Sequence, residues 1–311
     1  DAERGRLLRR EGPAYAGIDA DLKRPFTDEF SVSVGGGLGR GWRAALAGFY
    51  RETRNLVAAV NTGVPFSAYD PVAIYDPGDD LLPGTHDDLN VTVFNQSADS
   101  LGRDWRLLTN PVSPSRPISR YRGLDLTVVK PFGRRGGFFL AATATEAIGT
   151  TSPGYTEWEN DDGLPGALYD NPNALINAKG RLRFDRAYVV RTALALDGPA
   201  GTRLAVLGKY YDGQPFARWI VVEGLNQGPF AIMAHPRGVA RYEFNMTWDV
   251  RLEKTLAVGG GRLRLLLDGF NVFNQHLATE ENPWTGPDWP LRFATEVESP
   301  RIFRLGLAYE F

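Results

Sequence analysis

The densest run of side chains able to do chemistry is YDPGDDLLPGTHDD (75–88), which holds Asp76, Asp79, Asp80, Asp87 and Asp88. Oxygen-rich loops of this kind hold Ca²⁺ through carboxylates and carbonyls. The D-x-D-x-D-G spacing of an EF-hand is missing, so the five aspartates stand either as ligands of a structural calcium or as a solvated acidic loop. His86, His235 and His276 lie far apart with no HxxxH spacing, which argues against a catalytic zinc. Glu280 and Glu281 would serve as glycosidase carboxylates only around a sugar-binding pocket. Trp158, Trp219, Trp284 and Trp289 fall in predicted loops. They are the candidates for stacking on a ligand, and equally for an interfacial belt or for packing the loops. The glycines at 35–37, 39 and 41 do not match a dinucleotide-loop spacing, and no helical pattern follows them. No residue pattern points to catalysis.

Composition narrows the classes. The absence of Cys removes disulfides, thiolate metal sites and a Cys nucleophile. A net charge of -2 offers no basic field for nucleic acid. No run of 18 apolar residues exists, so no transmembrane helix is predicted; a membrane barrel, whose strands are half apolar, stays open. The 35 Gly, 21 Pro and 12% aromatics suit many strands and long turns better than helices.

The elements that would carry these side chains alternate with a period of two. At the end of the chain, Phe303, Leu305, Leu307, Tyr309 and Phe311 share one face of a strand, and Arg304, Gly306, Ala308 and Glu310 share the other. Between 241 and 253, Tyr242, Phe244, Met246, Trp248, Val250 and Leu252 oppose seven polar residues, among them Arg241, Glu243, Asp249, Arg251 and Glu253. That is long for a sandwich strand and fits a tilted membrane strand with a wet lumen. Similar patterns predict strands near 28–39, 42–57, 124–130, 138–148, 187–196, 203–211 and 263–273. Short turns (GRG, FGRRGG, DGPAG, VGGG) alternate with long loops near 61–117, 149–181, 212–238 and 274–300. One rim of short turns and one of long loops is the asymmetry of an outer-membrane barrel. Nine strands are an odd number and would leave open edges in lipid, so the chain is expected to be part of a larger wall.

Several stretches resemble the C-terminal barrel region of TonB-dependent outer-membrane receptors, in particular the Oar-like subgroup with a carboxypeptidase-regulatory-like domain upstream. They include PFTDEFSVSVG (25–35), YRETRNL (50–56), YRGLDLTVVKPFG (121–133), NALINAKGRLRFDRAYVV (173–190), LGKYYDGQPFAR (207–218) and RLEKTL (251–256). The most specific are LLLDGFNVFN (265–274) and SPRIFRLGLAYEF (299–311). The resemblance implies an all-β, antiparallel transmembrane β-barrel of 22 strands closed by an N-terminal plug. This chain would be its C-terminal portion of about nine to ten strands, with long extracellular loops and short periplasmic turns.

The expectations are therefore these. Residues 1–27 form an extracellular loop or a truncated preceding strand, and 28–311 the C-terminal part of the barrel, with plug and early strands absent. The function is active uptake of a large or scarce solute of the iron-chelate, cobalamin or glycan class, without enzymatic chemistry. No cofactor is expected apart from the calcium candidate. The partners are outer-membrane lipid, the TonB complex through the plug region, and the barrel-assembly machinery, with Tyr309 and Phe311 as the assembly signal. The place is the outer membrane of a Gram-negative bacterium. Two other classes stay open: a soluble secreted β-sandwich that binds or hydrolyses polysaccharide, and a passive porin-like barrel.

Overall fold

The computed structural model describes residues 15–112, 116, 118–150, 171–182, 185–281, 284–285 and 293–311. Nine long strands dominate: β1 (Phe26–Gly39), β2 (Trp42–Arg54), β3 (Ser119–Pro131), β4 (Gly136–Thr150), β5 (Tyr188–Asp197), β6 (Thr202–Tyr211), β7 (Asn245–Val258), β8 (Gly261–Phe270) and β9 (Ile302–Glu310). They pair in chain order, each antiparallel to the next, as one continuous meander. A short strand, Lys179–Arg181, extends the sheet beside the end of β4. The sheet does not close on itself: β1 and β9 each have one paired neighbour among the described residues. The sequence thus places all nine strands, mostly within a few residues of their ends.

Register decides what the sheet presents. Residues directly opposite each other in antiparallel strands point to the same side. Following the pairs across the sheet gives rows such as Val34, Leu46, Leu126, Ala142 and Val190. The rows continue through Val206, Val250 and Gly269 and through Leu267 and Leu305. One face is therefore apolar across all nine strands. The other carries Arg51, Asp125, Arg191, Lys209, Asp249, Arg251, Asp268 and Arg304. On it, Lys209 meets Asp249 at 2.9 Å, and Arg251 and Arg304 both hold Asp268, at 2.5 and 2.8 Å.

Among the described residues nothing covers the apolar face. Phe303, Leu305 and Leu307 are 64%, 82% and 76% exposed. None of the fully buried apolar residues lies in β1–β9; every one belongs to the connections. A sandwich would put these strands' apolar side chains between two layers. Here no second layer lies on them among the described residues. The band also has edges. Tyr50 and Trp42 sit eight residues apart on β2, about 27 Å along a strand. Tilted as barrel strands are, that spans about 20 Å, close to the apolar height of an outer-membrane wall. Lys130, in the row of Trp42, lies over the indole at 5.7 Å, and beyond Tyr50 come Glu52 and Arg54.

Because the meander is antiparallel, the four short turns fall at one end and the four long connections at the other. The long connections are not shapeless. The 61–117 segment, aperiodic in sequence, holds a hairpin of Tyr69–Asp76 with Leu89–Gln96. Arg106–Thr109 pairs with Ala58–Asn61 and with Tyr15–Ile18. Trp219–Val222 pairs with Phe230–Met233 and with Trp284–Thr285. The alternation read from Tyr242 continues past the wall as a ribbon. Regular pairing starts at Asn245, yet Pro215 still faces Arg241 in the register that sets Tyr211 opposite Asn245. Arg241 and Glu243 are thus placed above the wall, and only Asp249, Arg251 and Glu253 of that predicted set lie on its polar face. Gly213 sits at the break, where any side chain would run into the Tyr242 carbonyl.

The family-like motifs near the end build the last crossing. Asn271 turns the chain after β8 at φ 46°, and its side chain donates to the Gln275 and Ser299 carbonyls, both at 2.8 Å. Asn274 accepts the Arg301 amide at 3.0 Å, and Asp268 accepts Arg304. The two most specific stretches of the resemblance therefore bind each other.

Candidate functional site: the loop cap

The long connections pack into a cap with its own core. One cluster gathers Ala58, Ala174, Ala178, Ala217, Trp219 and Met233; a second gathers Val93, Ile220, Val222, Ile232 and Ala234. The first draws on three separate connections; the second draws on two, with Ile176 of a third packed against it. Polar side chains tie them, Asn173 fully buried. Asn173 accepts the Phe94 amide and donates to the Phe94 carbonyl, both at 2.7 Å. Asn177 donates to the Met233 carbonyl at 2.8 Å, and Gln227 to that of Phe94 at 2.8 Å.

The central tie is Arg218, 2% exposed. Its guanidinium grips both oxygens of buried Asp76, meets Asp79 at 2.8 Å and donates to Thr285 at 3.0 Å. The Thr285 hydroxyl in turn donates to the Trp219 carbonyl at 2.9 Å. Bidentate pairing of this kind is strong and directional. It joins three of the four connections.

The predicted site residues divide accordingly. Of the five acidic-loop aspartates, Asp76 and Asp79 turn to Arg218, which already supplies the positive charge a cation would bring. Asp87 accepts the Thr85 hydroxyl at 2.7 Å and the Asp79 amide at 2.6 Å. Asp88 accepts the Tyr75 hydroxyl at 2.6 Å and the Gly84 amide at 2.7 Å, and Asp80 accepts the Leu82 amide at 2.8 Å. No group of three or more ligands able to hold a metal exists among the described residues. Trp219 is a packing anchor, buried in the first core cluster. The backbone of Trp284 runs parallel to that of Trp219. Trp158 and Trp289 lie outside the described residues. Tyr309 and Phe311 sit at the exposed tip of the last strand, ring centres 6.3 Å apart.

Hydrogen bonding shifts the acidic loop's titration. The Thr85 hydroxyl, then the Asp79 amide, hold the Asp87 carboxyl down to about 2. The Tyr75 hydroxyl keeps that of Asp88 below the usual range. Both favour the ionised form, whose unfolded counterpart titrates near 3.9. The stabilisation is therefore present above about pH 4 and is lost as pH falls through the folded value. Exchange protection of the Asp79 amide is expected to hold from pH 5 to 4 and to fall between pH 4 and 2; an Asp87→Asn variant should show the lower protection at all these pH values.

A second junction links cap and wall. Buried Asp185 accepts the Ala147 amide of β4 at 2.7 Å and pairs with Arg241 at 2.7 Å and Arg181 at 3.4 Å. Arg186 donates to the Asp212 carbonyl and to Gln214.

The chain is similar to an outer-membrane transporter. No family model matches it, and no curated protein does. One solved structure it resembles is the outer membrane transporter YddB from Escherichia coli, with 14% identity, a TM-score of 0.44, and coverage of 95% of this chain and 34% of that one. The chain thus spans about a third of that structure's length.

Sequence reasoning singled out neither Arg218 nor Asn173 nor Asp185 as a site. A signal was present: Asn173 and Asp185 lie in the stretch 173–190 and Arg218 in 207–218, two of the family-like segments. Those segments carry side chains that join the loops rather than a ligand set.

Proposed function

We propose that the chain is wall and loop cap of a TonB-dependent receptor in the outer membrane of a Gram-negative bacterium. It takes up a large or scarce solute of the iron-chelate, cobalamin or glycan class and does no enzymatic chemistry. The observation that carries the membrane part is the register-aligned apolar face, continuous over nine strands and bare, while the packed core sits wholly in the connections. Lipid is the environment in which such a face is satisfied. TonB dependence rests on the resemblance of the motifs. The open edges favour completion by further strands. β1 and β9 run in the same direction, so antiparallel closure needs an odd number of additional strands; a 22-stranded total, the size that leaves a plugged lumen, meets that parity. The charged inner face suits a wet lumen and a plug.

Fractionation and uptake test this together. The full gene product is expected in the outer-membrane fraction after a carbonate wash, and uptake of its solute is expected to stop when the TonB complex is deleted. Recovery as a buffer-soluble monomer would mean a secreted sandwich. Uptake that persists without the complex would mean a passive pore.

A further inference from the structure

At the long-connection end of the wall the apolar face has a hollow of about 500 Å³. Phe30, Val32, Tyr50, Leu124 and Tyr188 line it, and Gly48 leaves its floor low. The rows that cross it change character within two steps. Val32, Gly48, Leu124, Ala144 and Tyr188 form the last apolar row. Phe30, Tyr50, Arg122 and Glu146 come next, then Asp28, Glu52, Arg120, Ile148 and Arg181. Register therefore aims Arg120, Arg122 and Arg181 outward, on the lipid side of the wall, at the edge of its apolar band.

Their neutralisation is incomplete. Arg122 and Arg181 share the carboxylate of Glu146, the latter at 3.2 Å, and Arg181 also reaches Asp185 at 3.4 Å, a carboxylate already paired with Arg241 at 2.7 Å. Glu52, the neighbour of Arg120 across β2 and β3, is taken by the Tyr50 hydroxyl at 3.0 Å and by Arg54 at 3.3 Å. The Nε of Arg120 is buried with no hydrogen-bond acceptor. A guanidinium fork matches the oxygens of a phosphate, and basic clusters at a membrane interface draw anionic headgroups.

We propose that this hollow binds a phosphate-bearing membrane lipid. Its phosphate lies on Arg120, Arg122 and Arg181, and one acyl chain lies in the trough over Gly48 between Val32 and Leu124. The proposal rests on the reading that this face meets lipid. It adds a specific site to what would otherwise be a uniform greasy surface.

Native mass spectrometry of the detergent-extracted full protein tests it, with phosphatidylglycerol and inorganic phosphate as probes. Arg120→Gln removes the guanidinium that lacks an acceptor at Nε. Gly48→Leu fills the trough and leaves every charge in place. Each is expected to lower retention of phosphatidylglycerol about tenfold or more, with far-UV spectrum and membrane insertion unchanged, and millimolar phosphate is expected not to displace the lipid. Retention equal to wild type in both variants overturns the site. Displacement by inorganic phosphate reduces it to an ion site and overturns the lipid. Should Gly48→Leu fail to assemble, Arg120→Gln decides alone. An inserted wall that holds no lipid defeats only this proposal, whereas a protein that never enters membranes defeats the membrane reading with it.

Discussion

Replacing Arg218 with Met is expected to cost the loop cap about 3–5 kcal/mol, the penalty of stranding a buried charge. The charge stranded is that of Asp76, itself 4% exposed and gripped through both oxygens. Asp79 is half exposed and regains water, so it adds little. Thr285 keeps its bond to the Trp219 carbonyl, so the loss is electrostatic rather than a collapse of the strand pair. The cap should open locally while the wall stays paired, since free energies of opening differ between units of one chain. Hydrogen exchange of the 69–96 hairpin, compared with β3 and β4, reads that difference. Adding Asp76→Leu to Arg218→Met removes both charges and is expected to recover most of the loss. A single variant that costs less than about 1 kcal/mol would show that water reaches the pair and that Arg218 does not bind the cap together.

The wall and the cap were unequally legible, for a physical reason. A strand with one bare apolar face and one charged face has its alternation imposed at every residue. Residues 302–310 could therefore be read almost to the end without knowing their neighbours. The same holds for β7, where the predicted alternation from Arg241 runs past the wall only because the β6–β7 ribbon keeps its register above it. Cap strands are short and part-buried on both faces. Leu89, Val91 and Val93 do alternate, but over too few residues to stand out among Asp and Pro. Arg218 finds Asp76 across 142 positions of chain, and Asn173 finds Phe94 across 79. Nothing local in either segment encodes such a partner. Trp219 illustrates the same limit: type and position allowed a ligand platform or a packing anchor, and only the three-dimensional neighbours select the anchor.

Placing Arg at Val250 is expected to cost about 2–4 kcal/mol, the price of a cation near the mid-plane of a barrel's lipid face. Val250 stands in the middle of β7, opposite Val206 on one side and Gly269 on the other, with no carboxylate in its row of direct neighbours. The matched control is Thr143→Arg, on the polar face of β4. There the new guanidinium sits opposite Asp125, in water, and is expected to change stability by less than about 1 kcal/mol. Both substitutions add the same charge and similar bulk to interior strands of the sheet, so their difference isolates what each face meets. Reversible unfolding of the full protein by guanidinium chloride in lipid vesicles gives both numbers. In a soluble sandwich Val250 would face a dry core, and the same ranking could follow. The discriminating measurement is therefore depth. Arg at Leu256 on the same face of β7, six residues toward the short turns, should cost no more than about 1 kcal/mol, because the side chain reaches the interfacial water. A closed protein core offers no such gradient, so equal penalties at positions 250 and 256 would refute the lipid-facing wall.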